Sequence, residues 1–141
     1  MAQPLNSSPA PFSIEMEVRD YEVDSQGIVN NAIYLHYLEH TRHEFCSSAG
    51  MSFRELQERG VDPVLRRVEI DYLNPLRLSD RFISSLTLRR DGPRFVFAQN
   101  IYRRPDMAHV VRAECTIVCL ENGRLTRGDI LADAFGDHIA Y

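Results

Sequence analysis

No apolar run in this sequence approaches the roughly 20 residues that carry a helix across a bilayer, so no membrane span is expected. The opening residues 1–11 are polar and proline-bearing, with no basic stretch leading into an apolar block. They do not read as a secretory signal, and the expected location is the cytosol. Positive charge is not in surplus either. A net charge of −4 leaves no field for wrapping nucleic acid, so any phosphate contact has to come from a local arginine cluster. Cysteine is scarce at 3 residues, which cannot all pair. Cys115 and Cys119 lie in an apolar run whose alternation puts both on one side, as small buried hydrophobes rather than a disulfide or metal ligands. The chain also lacks a G-x-S-x-G elbow, a phosphate-binding P-loop and a dinucleotide fingerprint, so no cofactor is expected. Internal repeats, low-complexity tracts and interdomain linkers are missing as well.

What remains is a chain of 141 residues that is 44% apolar and 26% charged, enough to fill one core and too apolar for disorder. A flexible leader over residues 1–11 and a single domain over 12–141 are expected. Phe12, Ile14, Met16 and Val18 alternate with polar residues and predict a half-buried strand over 12–20. Asn30 and Asn31 then stand where a helix cap belongs. Beyond them Tyr34, Leu38, Thr41 and Phe45 recur at helical spacing to about residue 48, with Gly50 as the stop. Ser52 with Glu55 three residues on predicts a second, short helix over 52–59.

The rest reads as sheet. Val64, Val68, Ile70 and Tyr72 alternate with charges, and Asn74-Pro75 ends that run. Strands follow over 82–90, from Phe95 through Ile101, and over 109–120, with turns at Asp91-Gly92-Pro93, Arg104-Pro105-Asp106 and Asn122-Gly123. One long amphipathic helix and a curved antiparallel sheet can bury each other's apolar faces, which makes the fold class α+β.

Chemistry concentrates between Arg19 and Tyr34. Asp24 stands on a turn that contains Gly27, just ahead of the helix start at Asn30-Asn31. Helix N-termini offer unpaired N–H groups and a positive dipole end, which suit a carbonyl oxygen becoming an oxyanion. A neighbouring carboxylate can attack the carbonyl carbon or activate a water to do so.

This segment resembles the signature of the 4-hydroxybenzoyl-CoA thioesterase family of hot-dog proteins, D-x-D-x-x-G-x-V-x-x-x-x-Y-x-x-x-x-E-x-x-R. Asp24, Gly27, Val29, Tyr34, Glu39 and Arg42 fill its places, and Glu22 stands where the first Asp is common. Val29-Asn30-Asn31 is also similar to plant-type acyl-ACP thioesterases, and the run from Ile70 to Leu76 with Ser79-Asp80 resembles the family's strand-and-turn block. The resemblance implies a hot-dog fold, a long central helix wrapped by the sheet, and hydrolysis of an acyl-CoA or acyl-ACP thioester without a cofactor. It implies Asp24 as the catalytic carboxylate, Asn31 as the backbone N–H donor to the thioester carbonyl, and Gly27 as the turn residue beside the ligand. Tyr34 and Arg42 match family positions and read as packing and helix-face partners more than as catalysts, with Tyr34 also expected among the substrate-binding residues. A homo-oligomer, dimer or tetramer, is implied, with Asp24 facing a tunnel partly built by the neighbour. Histidines that some relatives carry at the positions of Asn31 and Ile28 are absent, which leaves Asp24 and the helix dipole.

Other candidates weigh less. His36, His40 and His43 with Glu39 and Glu44 carry an H-x-x-E-H order, but no third metal ligand is evident and a polar helix face is the expected reading. Arg89, Arg90 and Arg94 at one hairpin, with Arg103 and Arg104 at the next, could hold coenzyme A phosphates or an acidic carrier surface; solvated, charged hairpin ends are the favoured reading. Two rival functions stay open: a non-catalytic acyl-CoA-binding module and a hot-dog dehydratase or hydratase.

Overall fold

The computed structural model describes residues 9–141, so most of the leader expected over 1–11 lies outside the described residues. In chain order the elements are β1 (Phe12–Glu17), α1 (Asn31–Ser48), α2 (Phe53–Glu58), β2 (Val61–Tyr72), β3 (Arg81–Asp91), β4 (Arg94–Arg104), β5 (His109–Glu121), β6 (Arg124–Leu125), α3 (Asp129–Phe135) and β7 (Ile139–Ala140). The long strands lie in the order β1-β3-β4-β5-β2, all antiparallel, with β6 beside β5 and β7 parallel to β3.

Alternation along β3, β4 and β5 sends one set of side chains to a common face. Phe82, Leu86, Phe95, Ile101, Val111 and Cys119 are all at most 2% exposed there. The α1 helix covers that face with Tyr34, Tyr37, Leu38, Thr41, Arg42 and Phe45. Burying each large apolar side chain contributes about 1.5–3 kcal/mol, so this contact is a large favourable contribution to folding. Helix α1 begins where the sequence places a cap, with the Asn30 side chain accepting the Ala32 N–H at 2.9 Å. Ser52 caps α2 likewise, taking the Glu55 N–H at 3.2 Å.

Three boundaries differ from the sequence reading. Strand β1 stops at Glu17 rather than at residue 20, because Asp20–Glu22 turns into a 3-10 helix. Strand β2 starts at Val61 rather than Val64, and a bulge between Leu65 and Arg67 breaks its alternation. Val64 and Tyr72, expected on a buried face, are 38% and 46% exposed because β2 is an edge strand. The C-terminal elements α3 and β7 were not read from the sequence at all. Among the described residues no helix is long and apolar enough to cross a membrane.

Candidate active site

Asp24 opens a small hairpin in which Val23 pairs with Val29. The Asp24 N–H donates to the Ile28 carbonyl at 2.9 Å, and the Gly27 N–H donates to the Asp24 carbonyl at 3.0 Å. Gly27 closes the turn at a φ of 78°, a left-handed conformation that costs other residues about 1–2 kcal/mol. A Cβ at Gly27 would meet nothing within 4 Å, so the demand for glycine is conformational. The half-buried Asp24 carboxylate accepts the Gln26 N–H at 2.8 Å, which fixes its orientation.

The same hairpin leads straight into α1. Asn30 donates its N–H to the Glu22 carbonyl at 3.2 Å, and its own carbonyl takes the Ile33 N–H at 2.9 Å. With Ala32 served by the Asn30 side chain, Asn31 is the first helical residue, and its N–H has no acceptor within the helix. Asn31 is exposed, and its carbonyl accepts the Tyr72 hydroxyl at 3.2 Å. Asp24, Gly27 and Asn31 thus lie on one continuous stretch of hairpin and helix start.

Tyr34 supports the loop that follows β2. It is buried, and its hydroxyl accepts the Leu76 N–H at 3.0 Å. Burial pushes its phenol upward, with the Leu76 hydrogen bond opposing, so it stays protonated at neutral pH. Leu76 in turn accepts the Val29 N–H at 2.9 Å, and Ile28 bridges Arg77. Tyr34 therefore acts as a post under the loop between β2 and β3, which holds the hairpin from behind.

Glu22 has a related task. Its buried carboxylate accepts the Arg19 N–H at 2.7 Å and the Tyr37 hydroxyl at 2.9 Å. Burial and the Glu22 carboxylate hold the Tyr37 phenol far above its ordinary range. The sequence reading missed Tyr37, although its position three residues after Tyr34 puts it on the same helical stripe.

The remaining candidates are mostly spent on the chain itself. Arg89 pairs with Glu114 at 3.2 Å, Arg90 with Asp129 at 2.6 Å and Arg103 with Asp106 at 2.7 Å. His40 lies 3.8 Å from Glu44 and His43 lies 3.7 Å from Glu39, on an exposed helix face. Cys46, Cys115 and Cys119 are buried free thiols, and burial pushes Cys46 up to about 11 against the opposing charge of Arg42.

With this geometry in view, the comparisons decide the family. A sequence profile of the Thioesterase-like superfamily matches residues 18–134. The chain belongs to this superfamily. The acyl-acyl carrier protein thioesterase ATL2 of Arabidopsis thaliana is 39% identical over 114 residues, 77% of this chain and 58% of the relative. The chain therefore spans little more than half the length of that plant relative. The long-chain acyl-CoA thioesterase FadM of Escherichia coli is 31% identical over 108 residues, 76% of this chain and 81% of FadM. Among solved structures, a 1,4-dihydroxy-2-naphthoyl-CoA thioesterase from Synechocystis has a TM-score of 0.81 at 21% identity, covering 89% of this chain and 96% of that one. That likeness shows the fold, a hot dog in which the curled sheet wraps α1.

Proposed function

We propose that this member of the thioesterase-like superfamily hydrolyses acyl thioesters of coenzyme A or acyl carrier protein to free acid and thiol. The observation that carries this reading is a single hairpin that holds an oriented carboxylate, Asp24, and runs directly into a helix start with an uncommitted N–H at Asn31. In the proposed reaction the Asn31 N–H donates to the thioester carbonyl oxygen and stabilises the negative charge that develops there. The Asp24 carboxylate either attacks the carbonyl carbon, giving a mixed anhydride that water opens, or takes the proton of an attacking water. Both routes expel the thiolate and need the same two groups. Relatives named as acyl-CoA and as acyl-carrier-protein thioesterases support both thiol carriers.

The working unit in this reading is a homo-oligomer, dimer or tetramer. Strand β2 supports it, because this edge strand of 12 residues leaves Val64, Leu65 and Tyr72 exposed, with Leu73 exposed just past its end.

The test is release of free thiol from a panel of acyl-CoA and acyl-ACP substrates, with wild type and Asp24→Asn side by side. Asparagine keeps the acceptor for the Gln26 N–H, so the turn and the melting temperature are retained while turnover falls by about 100-fold or more. Near-normal turnover in the variant would remove Asp24 from the mechanism. Saturable acyl-CoA binding without thiol release would assign the chain to the non-catalytic alternative.

A further inference from the structure

Glu22 and Arg42 are the two buried charged residues among those described. The first has two donors, whereas the Arg42 guanidinium donates to the neutral Gln99 Oε1 at 2.9 Å and forms no ion pair with a described carboxylate. Gln99 is itself fully buried, and its amide nitrogen donates to the Leu38 carbonyl at 3.0 Å. The nearby thiols of Cys46 and Cys115 offer no compensating charge, since burial keeps both protonated. Arg42 thus has a neutral acceptor but no carboxylate, and a mostly buried cation gains more from a charged acceptor than from a neutral one.

Arg42 also occupies a particular place. A cavity of about 300 Å³ runs beside α1 from Ala32 to Arg42, and a second of about 230 Å³ continues from Arg42 toward Phe135. Arg42, Glu39 and Leu65 belong to the walls of both. Glu39 is more than half exposed, lies 3.7 Å from His43 and forms no ion pair with Arg42. Eleven residues separate Asn31 from Arg42 on α1, which places them about 16 Å apart along the axis at 1.5 Å per residue. Helix side chains lean toward the N-terminus, so the guanidinium stands nearer the reacting end than its Cα.

We propose that Arg42 is a specificity residue that binds an acceptor oxygen in the distal half of the acyl chain, with a terminal carboxylate as the best fit. This rests on the thioesterase reading and adds a substrate class to it: medium-length acyl chains oxygenated away from the thioester, lying along α1 with their far end at the waist between the two cavities. An unsubstituted chain of the same length fills the groove but leaves the cation without its charge-assisted partner.

The experiment compares a medium-chain ω-carboxyacyl-CoA with its length-matched plain acyl-CoA in wild type, Arg42→Met, Arg42→Lys and Gln99→Glu. The readout is the carboxy-to-plain ratio of kcat/KM, which cancels effects common to both chains. The ratio is expected to fall at least about tenfold in Arg42→Met, in line with loss of a charge-assisted hydrogen bond. Gln99→Glu should lower it similarly, by neutralising Arg42 from within, and Arg42→Lys should retain part of it. A lower melting temperature with an unchanged ratio in both Arg42→Met and Gln99→Glu would overturn the proposal, leaving Arg42 a packing residue. Dissociation of the oligomer with an unchanged ratio would overturn it too, because a neighbouring subunit would then supply the counter-charge. The same ratio is read from dissociation constants of the paired non-hydrolysable thioethers. An Arg42-dependent binding ratio without thioester turnover would support this inference while removing the hydrolase reading.

Discussion

Tyr37 and Glu22 join the start of the Asp24 hairpin to the inner face of α1 through one buried hydrogen bond. Tyr37→Phe keeps the ring in place and removes only that donor, leaving a buried carboxylate with the Arg19 N–H alone. The expected loss is about 1–3 kcal/mol, seen as a lower denaturant midpoint with an unchanged slope. Single residues were legible in the sequence where their partners are chain-local: Asp24 with Gly27 in one turn, Asn30 with Ala32 at one cap. Glu22 bonds Tyr37 across 15 residues and Arg42 bonds Gln99 across 57. Periodicity assigns such residues to a face but does not pair them, and polar Gln99 looks out of place on an apolar strand face until Arg42 is beside it.

At the scale of elements, the long helix and the strands were legible because each repeats its period several times. Helix α3 was not, having 7 residues and no side-chain cap at Gly128. Two turns do not establish a helical repeat. Its docking depends on Gly128, where φ is 74° and a Cβ would stand 2.7 Å from the Phe95 ring and 3.2 Å from the Cys119 Cβ. Gly128→Ala is therefore expected to cost about 1–3 kcal/mol through overpacking alone, with the left-handed backbone adding to it. Thermal unfolding measures the loss, and hydrogen exchange should locate it in α3. Gly27→Ala, by contrast, meets no steric obstacle and bears only the conformational cost.

At the scale of the molecule, β2 is the feature the alternation misjudged. Its apolar residues suggested a covered face, yet Val64 and Tyr72 lie open along an edge. Sequence patterning gives faces but not strand order, and strand order decides which strand becomes the edge. If two subunits meet through this edge, wild type sediments as more than one chain, and Val64→Asp shifts it toward monomer with turnover falling in the same proportion. A variant that stays assembled and active would move the subunit contact elsewhere.

The hydrogen bonds that tie the Asp24 hairpin to the rest of the chain run through Glu22, Leu76 and Tyr34, near the first turns of α1. The second cavity opens toward the other end, where Met51, Phe53 and Phe135 stand in its wall. An 18-residue helix is about 27 Å long, so the two regions share a rigid rod but few atoms. Mutations that reshape the far end can accumulate without re-aiming the carboxylate. On the thioesterase reading, such a scaffold lets a lineage change what it accepts in small inherited steps while its reaction stays intact.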